Sequence, residues 1–456
     1  MNGPVVAHEP AGGGRVSGLA GRLAEWAHGL APTAEDLALA DRSLLDTVAV
    51  ALAARDHPVT GLARSLPEAA RWAVAAHVLD FDDLHMESTT HISAVCVPMA
   101  LATGGGARGF LAAAGVMARL GTALGWAHYS AGWHATCTAG APASAAGAAV
   151  ALGLDPARIA TAMALAVPGA GGVQRAFGTD AKSLQVGFAV DAGIRAARLA
   201  AAGARADPAA LDDWLTLVGG TGRTAQAQPD SHAGPADQPQ PDSQTRPHSQ
   251  TQPHSQDMPQ TPAVPGGLAI KMYPCCYALQ RPISALAELA ERAKVADPDQ
   301  VSRIVLRTPE ATVTPLIHHR PDTGLQGKFS LEYAAAAALL DRYPGFASFG
   351  DEAVRRPAAR RLAEAVEVKL DPGGGWLLDG VLEAAVHTSD GEVHRISQQF
   401  PPGSPGRPPT RDQLQAKLAG CVTGLDTDPG GWTWDNAAQV LRDLCPPGGR
   451  EPRWRT

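Results

Sequence analysis

The chain has 456 residues, of which 45% are hydrophobic and 18% charged, and its net charge of −7 corresponds to a pI near 6.1. This length predicts at least two domains with a substantial buried core, and the acidic balance argues against binding to nucleic acid or to an anionic membrane. The sequence also lacks a secretory signal pattern, an uncharged apolar run of about eighteen residues, and a cysteine framework, so we expect a cytoplasmic protein.

The first half of the chain is dominated by helical patterns. Thr33 and Asp36 have the spacing of a capping box, and the apolar residues after them share one helical stripe: Leu37, Leu44, Leu45, Val48 and Leu52. Three alanine-rich segments follow, at 93–103, 109–124 and 141–152. Asp155 and Pro156 predict the start of another helix, which Pro168 ends. These patterns predict closely packed helices.

Residues 224–264 have a different composition. Proline, glutamine and serine predominate, the strings PDS and PHSQ repeat, and aliphatic residues are almost absent. Such a segment cannot bury enough apolar surface to offset the entropy of ordering, so we predict a disordered insert. His248 and His254 lie within it and are therefore poor candidates for metal ligands.

After the insert the pattern changes to that of short strands separated by helices. QVSRIVLRTP and AVEVKLDP predict strands, and GVLEAAVHTSDGEVHRIS predicts a hairpin that turns at Asp390-Gly391. Helical patterns lie at 281–294 and 327–341, and again near the C-terminus. We therefore predict a mainly α protein with a large all-helical domain and a smaller α+β lid domain. The predicted boundaries are 15–223 for the helical domain, completed by 411–450, and 266–405 for the lid.

Two motifs that suggest a cofactor each lack a feature that the cofactor site requires. GGGARG at 104–109 has the glycine spacing of a dinucleotide-binding loop, but it follows a helical pattern and no acidic residue stands about twenty positions later. His85 and Glu87, with PCC at 274–276, are only faintly similar to a zinc deaminase, because the C-x-x-C pair is absent. We therefore expect neither a nucleotide nor a metal.

Four polar stretches remain at breaks marked by glycine or proline. They are HVLDFDDLHMESTTH at 77–91, GWHATCTAG at 132–140, QRAFGTDAKSLQVG at 174–187 and IKMYPCCYALQRP at 270–282. Each has a structural explanation when taken singly: His134 could be a satisfied core histidine, and Lys182 a solvated loop lysine. Together they place histidines, lysines and an aspartate where a helical scaffold presents side chains to a cleft.

These stretches together resemble the MmgE/PrpD family, which includes 2-methylcitrate dehydratase, cis-aconitate decarboxylase and iminodisuccinate epimerase. The residues that carry the resemblance fall into five ordered motifs: H-x-x-D-F-D-D from His77 to Asp83 with Thr90-His91 after it, G-[FW]-H-x-T-x-x-x-G from Gly132 to Gly140, the T-x-x-K lysine at Lys182, K-x-Y-P-C-C from Lys271 to Cys276, and KFSLEY at 328–333.

The resemblance implies a homodimer of two-domain subunits, an active site between the domains, and no metal or organic cofactor. It also implies candidate catalytic residues, namely Asp80, His91, His134, Lys182, Lys271 and Tyr333. The implied substrate-binding residues are Lys182, Lys271, Thr136 and Gln280. The substrates would be small di- or tricarboxylates, which lysines can hold by charge-assisted hydrogen bonds while a histidine transfers a proton.

The same groups can serve dehydration, decarboxylation or epimerisation. We favour a cofactor-independent lyase that dehydrates a 2-methylcitrate-like acid. Leu84 stands where the dehydratases and decarboxylases usually have threonine, and Gln280 or Arg281 stands where a histidine usually follows the Y-P-C-C motif. These departures indicate a smaller or more apolar substrate, and they leave a non-catalytic carboxylate-binding paralogue as an alternative. We expect Asp82 and Asp83 mainly to shape the turn.

Overall fold

The computed structural model describes residues 18–220, 261–292, 297–372, 377 and 379–444. Most of the predicted insert, residues 224–260, lies outside the described residues. Its last four residues, 261–264, are described, and for them the prediction of disorder is wrong. Ala263 and Val264 are buried in the larger apolar core, and the Ala263 amide donates to the Asp36 carboxylate at 2.8 Å. These two apolar side chains belong to the fold, although they adjoin a polar segment.

Helices form almost all of the segment before the insert. In chain order they are α1 (Gly18–His28), α2 (Ala34–Ala53), α3 (Pro58–Leu62), α4 (Glu68–Val78), α5 (Ile92–Thr103), α6 (Gly106–Ser130), α7 (Ala135–Ala151), α8 (Pro156–Ala166), α9 (Ala181–Ala201) and α10 (Ala210–Leu217). The predicted caps are confirmed: Thr33 and Asp36 form a capping box at α2, and the Asp155 side chain caps α8. Local sequence therefore defines where these helices begin.

Helix α7 lies at the centre of this bundle. Helices α5, α6, α8 and α9 pack around it, and every residue from Ala135 to Val150 is buried. Small residues permit this close packing: a Cβ atom at Gly193 of α9 would lie 2.6 Å from the carbonyl oxygen of Ala141 in α7. Among the described helices, α6 alone is long and apolar enough to cross a membrane. However, 72% of its most apolar 18-residue segment is buried inside the protein, as in a core helix.

The segment after the insert forms a small mixed sheet covered by helices. Its elements are α11 (Tyr277–Arg292), β1 (Val301–Pro309), α12 (Glu310–Val313), α13 (Gly324–Gly327), α14 (Leu331–Asp341), α15 (Asp351–Arg355), α16 (Pro357–Glu364), β2 (Val366–Asp371), β3 (Leu382–Thr388) and β4 (Val393–Gln398). The strand order is β2-β1-β3-β4, with β1 parallel to β2 and antiparallel to β3. The β3–β4 hairpin is confirmed, with Gly391 at a φ of +90° in its turn.

The last two helices, α17 (Arg411–Cys421) and α18 (Ala437–Leu444), return to the first bundle and pack on α2. Lys417 of α17 is buried there, and its Nζ lies 2.7 Å from the Asp46 carboxylate and donates to the Phe81 carbonyl at 2.8 Å. The C-terminal segment thereby holds the loop that follows α4.

Two clusters of buried apolar residues result from this arrangement. The larger includes residues of α1–α10, the 263–264 segment and the C-terminal helices. The smaller includes Phe177 and residues between 272 and 386, where the sheet packs against its helices. A mainly α architecture with a smaller region of helices and sheet is therefore confirmed.

Candidate active site

Helix ends bring the polar residues of the first three stretches together. His77 lies in the last turn of α4, and Asp80 follows it with a φ of +53°, a left-handed conformation that aspartate adopts more readily than most residues. His91 immediately precedes α5, and His134 immediately precedes α7. Lys182 lies in the first turn of α9. The N-termini of three packed helices carry partial positive charge, which favours an anionic ligand between them.

A small cavity lies where the two apolar clusters meet. Four of the six predicted catalytic residues line it: Asp80, His91, His134 and Lys182. The remaining lining residues are Leu84, Thr89, Tyr129, Phe177, Cys276, Tyr277, Phe329 and Leu377. Phe177, Phe329 and Leu377 belong to the smaller cluster, so both parts of the fold contribute to the cavity wall.

Two lysine ammonium groups hold Asp80. Lys182 Nζ donates to Asp80 Oδ1 at 2.8 Å, and Lys271 Nζ donates to the same oxygen at 3.3 Å and to the Asp80 carbonyl at 3.1 Å. Burial alone would raise the pKa of Asp80, but the two ammonium groups outweigh it and hold that pKa well below its usual value. Asp80 is therefore ionised in the folded protein.

Lys271 lies away from the cavity wall. Its side chain is fully buried and is absent from the cavity wall, and its Nζ also lies 3.6 Å from Asp82 Oδ1. Burial opposes its charge, but Asp82 and Asp80 outweigh that effect and raise the pKa of Lys271. In this structure the ammonium group lies behind the carboxylates and holds them in place, so it does not face the cavity, and direct binding of substrate by Lys271 stays a prediction.

Asp82 accepts hydrogen bonds from two imidazoles. His77 Nδ1 lies 2.7 Å and His91 Nδ1 lies 3.2 Å from Asp82 Oδ2. Burial would raise the pKa of Asp82, but His77 and His91 hold it well below its usual value. Asp82 therefore belongs to the polar network, and the expectation that it mainly shapes the turn is incomplete.

These contacts fix the protons on two of the histidines. The His91 Nδ1–H also donates to the Asp83 carbonyl at 2.8 Å, so the lone pair of His91 lies on Nε2, which has no hydrogen-bond partner within the described ranges. His77 Nε2 accepts from Lys182 Nζ at 2.7 Å. Burial lowers the pKa of His77 and lowers that of His91 to about 4, so both rings are neutral near pH 7.

His134 has a different set of partners. Its Nδ1 lies 2.7 Å from Gln185 Nε2 and 3.2 Å from Cys137 Sγ. Its Nε2 is buried and has no hydrogen-bond partner in the part of the chain that the structure describes. Burial, together with the proximity of His77 and of the Lys182 ammonium group, holds the pKa of His134 well below its usual value. The ring is therefore neutral, and its unsatisfied nitrogen belongs to a residue that lines the cavity.

The structure does not bring Tyr333 into this group. Its hydroxyl donates to the Ser348 carbonyl, and its ring packs edge-on against Phe349. The side chain is almost fully buried in the smaller apolar cluster. Tyr333 therefore lies outside the cavity in this structure, where its hydroxyl holds a neighbouring loop, and its catalytic role stays a prediction.

Thr136 and Gln280 support the site instead of lining it. The Thr136 hydroxyl accepts from the His91 amide at 3.1 Å. The Gln280 carboxamide oxygen accepts from the amides of Met272 and Tyr273 at 2.9 and 3.0 Å, and its nitrogen donates to the Tyr273 carbonyl at 2.8 Å. In this structure both side chains contact backbone groups, so they shape the loops that carry His91 and Lys271.

Sequence reasoning missed several residues of the site. His77 and Asp82 stood inside the first motif, and their acidic and imidazole groups were the available signal. Lys328 began the last motif; its Nζ donates to the carbonyls of Leu79, at 2.8 Å, and Pro274, and burial lowers its pKa to about 8. Tyr129 gave no signal, because it lies between the predicted helical segment at 109–124 and the polar stretch at 132–140.

The described residues contain one trio that could hold a metal ion: His77, Asp82 and His91, with candidate ligand atoms within 4.8 Å of one another. However, Asp82 Oδ2 already accepts hydrogen bonds from both imidazoles. Lys271 Nζ lies 3.6 Å from the other Asp82 oxygen and would repel a divalent cation. The trio therefore fits a hydrogen-bonded network better than a metal centre.

Asp83 gives a prediction on stability. Its carboxylate oxygens contact the Ser93 amide at 3.0 Å and the Ser93 hydroxyl, and burial raises its pKa to about 7. A raised pKa means that the folded state favours the protonated carboxyl group. The contribution of Asp83 to the free energy of unfolding is therefore complete below about pH 4 and is lost as the pH rises through 7. Asp83→Asn should therefore increase the free energy of unfolding by roughly 1–3 kcal/mol at pH 8, and by less at pH 5.

Urea denaturation of both proteins at the two pH values measures this difference. Asp426→Asn is the matched control, because Asp426 is exposed and should give the same small change at both pH values. An Asp83→Asn effect that does not vary between pH 5 and pH 8 would contradict the assignment of a raised pKa to this carboxyl group.

The fold and the site together define a mainly helical protein in which a lysine, an aspartate and two neutral histidines line a small cavity next to a small mixed sheet. Residues 65–217 match the MmgE/PrpD N-terminal domain, and residues 273–429 match the MmgE/PrpD C-terminal domain. The chain therefore belongs to the MmgE/PrpD family, whose members are generally lyase-like enzymes. Among curated proteins, none matches the chain.

Proposed function

We propose that the chain is a cofactor-independent lyase that dehydrates a small polycarboxylate of the 2-methylcitrate type by removing a proton α to a carboxylate. One observation carries the proposal: Lys182, His91 and His134 line one cavity. The His134 Nε2 is buried without a hydrogen-bond partner among the described residues, and the hydrogen bond of the His91 ring is made at Nδ1, which leaves its Nε2 for a ligand. Dehydration requires a cation to hold the carboxylate and stabilise the developing enediolate-like charge, and a base to remove the α-proton.

Lys182 is the cation that suits this task. Two of its three N–H bonds are directed to Asp80 and His77, which leaves one for a substrate carboxylate. Asp80 and Asp82 balance Lys182 and Lys271, and the Lys328 ammonium adds a positive charge behind the cavity. This balance favours an anionic substrate.

His91 is suited to be the base. Its Nδ1–H is held by Asp82 and by the Asp83 carbonyl, so the Nε2 lone pair is free to accept the α-proton. A bound polycarboxylate adds negative charge near His91 and raises the pKa of its ring toward 7, and Asp82 stabilises the imidazolium that forms. The imidazolium can then return its proton to the departing hydroxyl, which leaves as water while the carbon–carbon double bond forms.

The apolar part of the wall supports a substrate that carries an alkyl group. Leu84 is buried and packs against Tyr277 and Ala269, and Leu84, Tyr277 and Phe329 all line the cavity. The leucine therefore supplies apolar surface at the position where the resemblance led us to expect a hydroxyl. A methyl-bearing acid fits this surface better than one that is polar throughout.

The proposal is tested with purified protein in D₂O, with 2-methylcitrate, citrate, cis-aconitate and iminodisuccinate as separate substrates and NMR as the readout. We expect 2-methylcitrate to lose water at a rate unaffected by EDTA. Carbon dioxide release from cis-aconitate, or epimerisation of iminodisuccinate without loss of water, would replace dehydration by the corresponding reaction. If none of the acids exchanges an α-proton, the lyase proposal fails and the carboxylate-binding alternative takes its place.

A further inference from the structure

Gln185 lies between His134 and the segment at 172–174. Its carboxamide oxygen accepts from the Val173 amide at 3.1 Å, and its nitrogen lies 3.4 Å from the Val173 carbonyl. These two contacts fix which end of the carboxamide is the NH₂ group. The same nitrogen lies 2.7 Å from His134 Nδ1, so the group that faces the imidazole is a donor.

The segment that orients Gln185 also holds the backbone of the histidine. The His134 amide donates to the Gly172 carbonyl at 3.0 Å, and Trp133 pairs with Val173 in an isolated bridge. Gly172 has a φ of +130°, and a Cβ atom there would lie 2.7 Å from the Cys137 Cβ. Glycine therefore lets the segment approach closely enough for Gln185 and His134 to meet in a fixed geometry.

The NH₂ group of a carboxamide can only donate a hydrogen bond, so His134 Nδ1 must accept. Cys137 agrees with this assignment, because burial raises the pKa of its thiol and the protonated sulfur can also donate to Nδ1. A neutral imidazole that accepts at Nδ1 carries its proton on Nε2. The buried Nε2, which has no partner among the described residues, is then an N–H group without an acceptor.

We infer that Gln185 is a positioning residue that holds the proton of His134 on Nε2, so that this histidine is a fixed hydrogen-bond donor to an oxygen of the substrate and not a second base. The inference rests on the proposed function and assigns the role of His134 within it. His91 has the opposite arrangement, with a proton on Nδ1 and a free lone pair on Nε2. The cavity thus combines one acceptor and one donor imidazole.

The assignment explains why an unsatisfied N–H group is kept in a buried site. Such a group destabilises the free protein, but it is satisfied when a carboxylate or hydroxyl oxygen binds. A donor already in place requires no reorganisation when negative charge develops on that oxygen. The ligand atom opposite His134 is therefore an oxygen that gains negative charge in the reaction, as a substrate carboxylate does when the α-proton leaves.

The proton position can be measured in the absence of substrate by long-range ¹H–¹⁵N NMR of protein labelled in its histidines, with the His134 signals identified from their loss in His134→Phe. We expect wild-type His134 to carry its proton on Nε2. In Gln185→Glu, a carboxylate replaces the donor, so the proton should move to Nδ1. A wild-type ring protonated on Nδ1, or a Gln185→Glu ring that stays neutral with its proton on Nε2, overturns the inference.

The wild-type spectrum tests the inference without any variant, so a Gln185→Glu protein that fails to fold does not remove the test. Gln439→Glu, at an exposed position of α18, is the matched control and should leave the His134 signals unchanged. For the acid that is turned over, we expect Gln185→Glu to lower kcat/KM about 10²-fold, as on loss of one oriented donor. Because the spectra need no turnover, an inactive wild type would refute the proposed function and leave the proton assignment standing.

Discussion

Lys182→Met should lower kcat/KM for the substrate about 10²–10³-fold, with a loss in kcat and a rise in KM. Methionine keeps most of the side-chain volume but removes the ammonium group that lies in the cavity wall. The variant loses the cation that binds the carboxylate in the ground state and stabilises the added charge in the transition state, so both parameters change. Steady-state kinetics with the acid found to be turned over measures this effect.

Lys271→Met shows whether an ammonium group behind the cavity affects substrate binding as much as the Lys182 ammonium group in the cavity wall. Both lysines contact Asp80, but Lys271 is fully buried and does not line the cavity. Each variant leaves a buried carboxylate with one cation fewer, so both should lower the free energy of unfolding by up to about 3–5 kcal/mol. KM should rise much more in Lys182→Met, and Lys369→Met, at an exposed lysine of β2, should change neither property. Equal effects on KM at Lys182 and Lys271 would contradict the assignment of Lys182 as the substrate cation.

The helices and the hairpin could be predicted because their signals are local. A capping box at Thr33 and Asp36, a proline after Asp155 and an Asp-Gly turn between alternating residues each act within a few positions of the chain. The end of the insert was misjudged, because the burial of Ala263 and Val264 depends on helices that are distant in sequence. Composition averaged over a segment does not detect two apolar residues at its edge.

The members of the site could be predicted better than their roles. Motif positions brought Asp80, His91, His134 and Lys182 to one cavity, as expected from the loop breaks that carry them. The division between Lys182 and Lys271 could not be predicted, because both are lysines in polar motifs and their exposure depends on how the loop at 270–276 folds over the first bundle. Sequence shows which side chains are available, but it does not show which surface each one faces.

Gln280 and Tyr333 illustrate the same limit for hydrogen bonding. Each offers a polar group that could contact a substrate, yet Gln280 is occupied by its own loop and Tyr333 by the Ser348 carbonyl. Gln185 is the opposite case, since it lay in the polar stretch at 174–187 without an assigned role and yet contacts His134 directly. A residue type indicates what a side chain can donate or accept, and only packing decides which partner it meets.

Leu84, which the sequence marks as a departure from the family pattern, contacts the site through both its backbone and its side chain. Its amide and carbonyl pair with Ala269 at 2.9 and 2.8 Å, which links the loop after α4 to the segment that leads to Lys271. Its side chain lines the cavity beside Tyr277. The residue therefore fixes the geometry of two site-bearing segments by its backbone and makes part of the wall apolar by its side chain.

His91→Asn should lower two rates, each by about 10²–10⁴-fold: the rate of exchange of the substrate α-proton with D₂O and the rate of loss of water. Asparagine can keep a hydrogen bond toward Asp82 but has no lone-pair nitrogen to accept the proton. The substrate should still bind, because Lys182 and the donor at His134 are retained, so KM should change by less than about tenfold. NMR of the α-position during incubation follows exchange and dehydration in one sample.

The comparison with His134→Phe makes this prediction specific to the base. Phenylalanine keeps a ring against Phe177 but removes the Nε2–H donor, so α-proton exchange should be slowed and KM raised, without the near-complete loss expected for His91→Asn. His319→Asn, at an exposed histidine outside the cavity, is the matched control and should behave as wild type. If His91→Asn still exchanges the α-proton at the wild-type rate while His134→Phe does not, the two roles are reversed, and the lone pair assigned to His91 is not the one that takes the proton.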